Sequence, residues 1–254
     1  MFFTPLLEGN LINHNLISEI IYYPTTRSTN KDAWELYEKN NQTRILVISD
    51  NQTAGKGRYN NSWFSSPGKN ITCSLLLNQL FPNEKMNLHA LLIPVAIILG
   101  VKKFLFIDLE IKWPNDILFK NKKLGGILIE SKQIKKKFVL NCGIGLNVNE
   151  VNFPLELKTN STSLKEIKGH IVQREPLLAY ILNELTNLIK NLSEEDIITL
   201  WLKSCCHINK RICFKHNGEE VKGIFKGLDE FGMAIINHNN QTIQYSGEIT
   251  TLCN

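Results

Sequence analysis

Residues 52–70 read Gln-Thr-Ala-Gly-Lys-Gly-Arg-Tyr-Asn-Asn-Ser-Trp-Phe-Ser-Ser-Pro-Gly-Lys-Asn, and this stretch indicates the class of fold more strongly than any other. Glycines bracket two cations, Lys56 and Arg58, and an indole follows at Trp63. Glycines allow backbone N–H groups to approach a ligand closely, and the cations add positive charge. The stretch therefore predicts an anion-binding loop.

Further motifs stand on either side of this loop. Ser28-Thr29-Asn30 precedes it, and residues 112–116 read Lys-Trp-Pro-Asn-Asp. Residues 123–128 read Lys-Leu-Gly-Gly-Ile-Leu, and residues 143–149 read Gly-Ile-Gly-Leu-Asn-Val-Asn. One glycine-rich loop is weak evidence, but this series of motifs in this order is specific.

The order of motifs resembles that of the biotin–protein ligases, also called biotin–acetyl-CoA-carboxylase ligases. The resemblance is clear over residues 20–150 and continues weakly to the C-terminus. It implies an α+β fold, in which a mixed β-sheet with flanking helices, similar to a class II synthetase catalytic domain, precedes a small SH3-like β-barrel. The expected catalytic domain covers residues 1–205 and the barrel residues 206–254.

The hydrophobic pattern independently predicts an α+β architecture. Short strands with Gly and Asn turns beyond Arg211 indicate a small barrel. The predicted strands are residues 45–48, 71–77, 111–113, 117–119, 124–130 and 138–148, the last interrupted by its two glycines. One predicted helix begins at Ser28. The other predicted helices cover residues 88–106, 175–192 and 194–203, and the first of these three is expected to break at Gly100.

The resemblance implies a reaction in two steps. The carboxylate of biotin attacks the α-phosphate of ATP to give biotinyl-5′-adenylate, and the ε-amine of a lysine on a carrier protein then displaces AMP. Because the nucleophiles come from the substrates, the enzyme must position two anions that repel each other and stabilise charge on phosphorus. Cations and backbone donors suit this task, and the motifs supply both and contain no histidine.

The resemblance also assigns roles to residues. Arg58 is expected to contact the adenylate phosphate and the biotin carboxylate, since a guanidinium offers a bidentate fork. Lys123 is expected to reach the biotin carboxylate, and Asp116 to order the site or to receive the incoming lysine. The expected biotin-binding residues are Ser28, Thr29, Asn30, Gln52, Lys56, Gly57, Arg58, Lys123, Gly125 and Gly126. The expected ATP- or adenylate-binding residues are Arg58, Trp63, Lys112, Asn115 and Asn147, with Asn115 near Mg²⁺.

Three positions depart from the family pattern. Lys56 stands where the family has an arginine, so a bidentate contact is lost there. Asn60 stands where a glycine is usual, although asparagine tolerates left-handed geometry better than most residues. Residues 246–252 read Ser-Gly-Glu-Ile-Thr-Thr-Leu and lack the terminal arginine that would approach ATP.

Composition limits the remaining possibilities. A chain of 254 residues is long enough for one large domain and a small one, and its net charge of +5 does not demand nucleic acid. The six cysteines form no Cys-x-x-Cys pair, which favours reduced thiols over structural zinc. The N-terminus has no basic segment, and the longest apolar run, residues 91–99, is about half the length that spans a bilayer.

We therefore expect a cytoplasmic enzyme that uses ATP, Mg²⁺ and biotin and modifies the biotin carboxyl carrier domain of acetyl-CoA carboxylase or a related carboxylase. About twenty residues precede the first motif, too few for the helix-turn-helix domain of longer relatives, so neither DNA nor membrane binding is expected. Relatives pair their sheets edge to edge, which would give a homodimer.

Two alternatives stay open. One is a lipoate or octanoate ligase or transferase of the same fold. The other is a non-catalytic protein that binds or senses biotin, which would not exchange pyrophosphate into ATP.

Overall fold

Two β-sheets organise the chain in the computed structural model, which describes residues 1–58, 61–216, 218–247 and 249–252. The helices are α1 (Thr4–Asn10), α2 (Thr29–Asn40), α3 (Leu88–Leu105), α4 (Leu155–Lys158), α5 (Leu164–Lys168), α6 (Arg174–Asn191) and α7 (Glu194–Lys203). The strands are β1 (Glu19–Tyr23), β2 (Ile45–Ser49), β3 (Ile71–Asn78), β4 (Glu110–Lys112), β5 (Asp116–Phe119), β6 (Lys122–Ile134), β7 (Lys137–Leu146), β8 (Arg211–His216), β9 (Glu219–Leu228), β10 (Ala234–His238), β11 (Gln241–Tyr245) and β12 (Ile249–Leu252).

The larger sheet has seven strands in the order β1-β2-β3-β7-β6-β5-β4. β1 and β2 are parallel, and the other neighbouring pairs are antiparallel. β3 and β7 pair along their whole shared length, from Ile71 opposite Leu146 to Asn78 opposite Val139. This register determines which residues of the two central strands share a face.

Both faces of the larger sheet are covered by helices. Ile45 and Val47 of β2 pack with Ala33 and Tyr37 of α2 on one face. The alternate residues of β2 point to the opposite face, where they join the main core under α3 and α6. A strand that is covered on both faces reads as a continuous apolar run, which is why the sequence predicts β2 correctly.

The smaller sheet is antiparallel, with five strands in the order β11-β10-β9-β8-β12. It contacts the larger domain through Phe225 on β9, whose ring centroid lies 6.5 Å from that of Trp113, and the centroid of Trp113 also lies 5.8 Å from that of Trp201 on α7. Trp113 Nε1 also donates a hydrogen bond to the Gly247 carbonyl at 3.0 Å. The predicted α+β fold with a small C-terminal β-domain is confirmed, while the division at residue 205 stays a prediction.

Two local predictions are wrong. α3 continues through Gly100 without a break. A Cβ at this position would lie 2.7 Å from Ile181 Cα, so the glycine allows α3 and α6 to pack closely. β7 likewise continues through Gly143 and Gly145, whose missing side chains leave room for groups above the strand. The sequence patterns also do not predict α1, β1, α4 or α5.

The cysteines lie mostly in buried positions. Cys73, Cys142, Cys205 and Cys206 are free thiols, whereas Cys213 is disulfide-bonded, so the prediction of reduced thiols is wrong for Cys213. Cys206 Sγ lies 3.3 Å from His207 Nδ1. Burial lowers the pKa of His207 to about 3 and raises the pKa of Cys206 to about 11, so both side chains are neutral at physiological pH.

Helix α3 is long and apolar enough to cross a bilayer by length and composition alone. Most of it is buried, and it packs against α6 and α7 and against strands of the larger sheet. This is the setting of a core helix.

A buried ion pair connects the end of β2 to the start of α6. Asp50 Oδ1 lies 2.7 Å from Arg174 Nη1, and the hydroxyl of Tyr22 donates to Asp50 Oδ2 at 2.7 Å. Burial by itself would raise the pKa of Asp50, but the hydrogen bonds from Arg174 and Tyr22 outweigh it and hold the pKa below its ordinary 3.8. The Asp50 carbonyl also accepts from Gly68 N–H at 2.9 Å, so this pair adjoins the end of the glycine-rich loop.

The Asp50→Asn variant tests this ion pair. It leaves the Arg174 charge buried without its partner, so we expect a loss of about 3–5 kcal/mol in the free energy of unfolding near neutral pH. Because the folded pKa of Asp50 is depressed, its contribution is present above pH 3.8 and is lost as the pH falls through the folded value. Urea denaturation at about pH 7 and about pH 3 should therefore show a large gap between parent and variant that narrows in acid.

The matched control for this experiment is Asp108→Asn. Asp108 is 83% exposed and pairs with Lys102 on the surface, so its removal should change stability little. An Asp50→Asn variant as stable as Asp108→Asn at neutral pH would contradict the role assigned to the buried pair.

Candidate active site

A cleft opens on the α2 face of the larger sheet, directly beyond the N-terminus of α2. Its floor is formed by β7 at Gly143 and Gly145. A Cβ at Gly143 would lie 2.3 Å from Asn30 Oδ1, and a Cβ at Gly145 would collide with the indole of Trp63. The two glycines are therefore required because other side chains come into contact with the strand. Of the predicted site residues, the cleft brings together Ser28, Thr29, Asn30, Gln52, Lys56, Gly57, Arg58, Trp63, Asn115, Asp116, Lys123 and Gly126.

Three predicted site residues, Asn147, Gly125 and Lys112, do not line the cleft. Asn147 is buried, and its Nδ2 donates to the Thr162 carbonyl at 3.1 Å, which is a structural role. A Cβ at Gly125 would lie 2.9 Å from the Gly145 carbonyl, so this glycine faces its neighbouring strand. Lys112 lies on β4, and its side chain is not among those that line the cleft.

The end of the cleft beside α2 carries a set of neutral hydrogen-bonding groups. Thr29 N–H donates to Gln52 Oε1 at 2.8 Å, which orients the Gln52 amide. Ser74 Oγ lies 2.7 Å from Thr29 Oγ1 and 2.6 Å from Asn30 Oδ1. Sequence reasoning missed Ser74, because one serine within an apolar strand is unremarkable until the register pairs it with Gly143.

The start of α2 itself faces this end of the cleft. Ser28 is the N-cap residue in an extended conformation, but its side chain makes no capping hydrogen bond. The first N–H groups of a helix have no partner within the helix. Ser28 and the first turn of α2 can therefore offer polar groups to a ligand.

The middle of the cleft carries an ion pair. Lys123 Nζ lies 2.7 Å from Asp116 Oδ1, and both side chains are partly exposed. A Cβ at Gly126 would lie 3.6 Å from each partner, so this glycine borders the pair. Lys123 is also held through its backbone, because its N–H donates to the Asn160 carbonyl at 2.7 Å and its carbonyl accepts from Thr162 N–H at 3.0 Å.

A second cation lies toward the C-terminal sheet. Arg58 Nη1 is 3.5 Å from Asn115 Oδ1. The other end of the Asn115 amide donates to the Ile127 carbonyl, and Ile127 N–H donates to the Asn115 carbonyl at 3.0 Å. Arg58 and Asn115 also line an adjoining cavity that extends to Trp113 and Ser246. The site therefore continues from its neutral end, past Lys123 and Arg58, to the C-terminal sheet.

The glycine-rich loop bonds to itself in the part that the structure describes. Trp63 N–H donates to the Gly55 carbonyl at 2.9 Å, and Gly57 N–H donates to the Asn61 carbonyl at 2.7 Å. These bonds hold the cationic segment beside the cleft. Asn60, where the sequence departs from the family pattern, lies outside the described residues.

The indole of Trp63 lies against Gly145 in the cleft floor. Among the described residues no acceptor lies within hydrogen-bonding distance of its buried Nε1. Buried N–H groups in native proteins are nearly always bonded, so this donor is available to a partner other than the described protein atoms.

Glu150 holds the far end of the glycine-rich loop. Its carboxylate accepts hydrogen bonds from the backbone N–H groups of Ser66 at 2.9 Å and of Val151 and Asn152 at 3.1 Å. Burial by itself would raise the pKa of Glu150, but the bonds from Ser66 and the other N–H groups outweigh it and lower the pKa. An ionised acceptor therefore holds this end of the loop at neutral pH.

The side chains alone do not form a complete magnesium site. Mg²⁺ prefers oxygen ligands and usually binds through one or two carboxylates together with substrate phosphates. Asn115 Oδ1 and the Asp116 carboxylate are the side-chain oxygens beside the two cations. Within the described ranges no three His, Cys, Asp or Glu side chains meet in a metal-binding group. An ion here would need nucleotide phosphates as further ligands.

Comparison with known proteins identifies a family match for each of the two parts of the chain. The biotin/lipoate A/B protein ligase family matches residues 22–149, and the biotin protein ligase C-terminal domain matches residues 207–250. The bifunctional ligase/repressor BirA of Bacillus subtilis is 39% identical over 167 residues, which are 64% of this chain and 51% of that protein. The chain thus spans about half the length of the curated BirA relatives that it matches.

A solved structure extends the similarity over most of the chain. The biotin protein ligase of Aquifex aeolicus in complex with biotin and ATP has a TM-score of 0.78 and 27% sequence identity, with 92% of this chain and 98% of that chain covered. Human biotin–protein ligase is 28% identical over 235 residues, which are 85% of this chain and 31% of that protein. Because the first family match covers half of the sequence, the chain belongs to the biotin/lipoate A/B protein ligase family.

Proposed function

We propose that the protein is an ATP-dependent biotin–protein ligase that forms biotinyl-5′-adenylate and transfers biotin to a lysine of a carrier protein. The observation that carries this proposal is the order of groups along the cleft. A neutral hydrogen-bonding end at Thr29 and Gln52 is followed by Lys123 and then by Arg58. Biotin has a cyclic urea at one end and a carboxylate at the other, which is the same order of chemistry.

The neutral end favours biotin over lipoate. A urea ring offers two N–H donors and one carbonyl acceptor, and the side chains of Thr29, Asn30 and Gln52 can bond to both kinds of group. The dithiolane ring of lipoate has neither, so it would leave these polar groups unpaired. A site built around hydrogen bonds discriminates strongly against a ligand that cannot make them.

In the first step Lys123 and Arg58 hold the reacting anions. Lys123 leaves Asp116 and takes the biotin carboxylate, while Arg58 takes the α-phosphate. One carboxylate oxygen then attacks phosphorus and the bond to the pyrophosphate oxygen breaks. The two cations offset the repulsion between carboxylate and phosphate, and the fixed geometry lowers the entropic cost of the encounter.

In the second step Asp116 acts on the incoming lysine as its binding partner and general base. When Lys123 is engaged with the adenylate, the Asp116 carboxylate is available to bind the amine of the carrier lysine and to accept its proton. The amine then attacks the acyl carbon, the bond to the phosphate oxygen breaks, and AMP leaves. The 2.7 Å contact between Lys123 and Asp116 supports this exchange of partners.

ATP is proposed to occupy the side of the site that adjoins the C-terminal sheet. The adjoining cavity includes Asn115, Trp113 and Ser246, so the small sheet contributes a wall even though the usual terminal arginine is absent from the sequence. Mg²⁺ would arrive with the ATP phosphates near Asn115 and Asp116, where it would offset phosphate charge. Glu248 lies outside the described residues.

The acceptor is proposed to be the biotin carboxyl carrier domain of a carboxylase. Cytoplasmic location and the absence of DNA and membrane binding stay predictions from the sequence. The alternatives of a lipoate ligase and of a non-catalytic biotin sensor are outcomes of the first experiment below.

The first experiment measures the mass of a carrier domain after incubation with the protein, Mg-ATP and biotin. We expect a gain of one biotinyl group, because neutral hydrogen-bonding groups, Lys123 and Arg58 line the same cleft. The matched controls replace biotin by lipoate and replace the target lysine of the carrier by arginine, and neither should gain mass.

Each other outcome assigns a different activity. Modification with lipoate or octanoate but not with biotin would move the protein to the lipoate branch of the family. Biotin binding without pyrophosphate exchange into ATP would identify a sensor.

Lys123→Ala tests the proposed carboxylate contact. Removal of the ammonium should weaken biotin binding by more than about tenfold, which is about 1.4 kcal/mol, in isothermal titration calorimetry. The matched control is Lys122→Ala, since Lys122 is the exposed neighbour on the same strand and does not line the cleft. Equal affinities of the two variants would remove Lys123 from the biotin site.

A homodimer is proposed through the edge of β6. β5 pairs with β6 only as far as Gly126, so among the described strands residues 128–134 of β6 pair on one side only, with β7. An open edge offers unpaired backbone groups to a second copy. We expect sedimentation velocity to show a dimer when biotin and ATP are present, and a monomer under all conditions would refute the proposal.

A further inference from the structure

Asn30 lies between the cleft and a second groove on the same face of the sheet. On the groove side, Asn30 Nδ2 donates to Glu130 Oε2 at 3.0 Å, and Trp34 Nε1 donates to the same oxygen at 3.1 Å. Glu130 lines the groove and does not line the cleft. The mechanism above gives this carboxylate no task, although it bonds directly to a cleft residue.

Glu130 determines how the Asn30 amide is oriented. An ionised carboxylate accepts hydrogen bonds and cannot donate them, so the amide must present its NH₂ group to Glu130. The amide oxygen therefore faces Ser74, whose hydroxyl must donate to Asn30 Oδ1 across 2.6 Å. The side chains of Thr29, Ser74, Asn30 and Glu130 form a series that we call the Glu130 chain.

The same logic fixes the next bond of the Glu130 chain. The Thr29 hydroxyl donates to Gln52 Oε1 at 3.1 Å, and Thr29 N–H donates to the same oxygen at 2.8 Å. Ser74 Oγ, 2.7 Å from Thr29 Oγ1, is therefore the donor in that contact as well as toward Asn30. Thr29 Oγ1 then keeps lone pairs and no free proton. The charged acceptor thus orients the Asn30 amide and, through it, the Ser74 hydroxyl.

This direction gives the cleft an acceptor-rich end. Asn30 Oδ1 lies above Gly143 in the floor, and the oxygens of Thr29 and Gln52 lie beside it. With the direction reversed, Asn30 would turn its NH₂ group toward Ser74 and the floor, and an acceptor would become a donor. A ring with two N–H groups pairs with the first arrangement and is opposed by the second.

We propose that Glu130 is a positioning residue that makes this end of the cleft select ligands by their N–H donors. It does so from outside the cleft, by fixing the direction of the Glu130 chain. The inference rests on the proposed biotin-ligase function and names the determinant of its specificity for a cyclic urea.

Glu130→Gln tests the inference with little change in shape. A glutamine amide can donate to Asn30 Oδ1, so the chain is free to reverse. We expect the Kd for biotin to rise about tenfold, because a mismatched pair of polar groups replaces a hydrogen bond. A biotin analogue methylated on a ureido nitrogen already lacks a donor, so its Kd should rise by no more than about twofold.

Two matched controls separate this effect from packing and charge. Trp34→Phe removes the other hydrogen bond to the same Glu130 oxygen and keeps an aromatic ring. Glu38→Gln removes one charge from the same groove, where Glu38 pairs with Lys132 at 2.6 Å. Both controls should leave the ratio of the affinity for biotin to the affinity for its N-methylated analogue unchanged. A fall of that ratio in Trp34→Phe equal to that in Glu130→Gln would overturn the inference.

A double variant tests whether the effect passes through the chain. Asn30→Ala removes the side chain through which Glu130 reaches the cleft, so adding Glu130→Gln to it should cost nothing further in ligand discrimination. A full tenfold cost in the Asn30→Ala background would show that Glu130 acts by another route. If Glu130→Gln does not fold, Asn30→Ala alone must reduce the discrimination, and undiminished discrimination overturns the inference.

The parent protein distinguishes the two levels of the proposal. A parent that does not bind biotin overturns the proposed function and this inference with it. A parent that binds biotin, together with a Glu130→Gln variant that discriminates equally well, overturns only the role of Glu130.

Discussion

The contact between the start of α2 and the glycines of β7 is the constraint on which the site depends. The Asn30 carbonyl accepts from Asn141 Nδ2 at 2.8 Å, and the Asn30 side chain lies over Gly143. Gly143 is itself paired with Ser74 on β3 and with Leu128 on β6. Three central strands therefore meet the first turn of one helix at a single point. Because strands and a helix hold these groups, regular secondary structure determines the positions of the groups at the neutral end of the cleft.

The sequence predicts those parts of the fold whose signals are local. β2 is recognised from its continuous apolar run, and α6 and α7 from their periodicity, because each pattern reflects burial within one element. The structural role of a glycine, in contrast, depends on residues that are distant in sequence. Gly100 reads as a helix break and Gly143 as a strand break, yet each permits a close approach by a residue distant in sequence. A single sequence does not contain the position of that partner.

The same limit explains which site residues the sequence predicts. Motifs identify Lys123, Asp116 and Arg58, because the residues around each of them match the family pattern. Motif membership does not give the direction of a side chain. Asn147 bonds to the Thr162 carbonyl, and Gly125 lies close to the Gly145 carbonyl, so neither residue lines the cleft. Ser74 and Glu130 carry no motif that the sequence analysis used. The register of β3, β7 and β6 brings both residues within hydrogen-bonding distance of Asn30, which only the assembled sheet reveals.

Arg58 and Lys123 have different neighbours in the cleft, and the difference suits the two steps of the proposed reaction. Arg58 Nη1 lies 3.5 Å from the neutral amide of Asn115. Lys123 contacts a carboxylate, but its side chain is 41% exposed, and a partly exposed ion pair is weak enough for a second carboxylate to replace Asp116. A lysine suits this position better than an arginine, because a compact charge on a flexible stem can change partners without breaking a bidentate fork. In the proposed reaction, the entry of the biotin carboxylate has two effects, since it pairs with Lys123 and frees Asp116. Asp116 would then become available as the base of the second step only after biotin has bound.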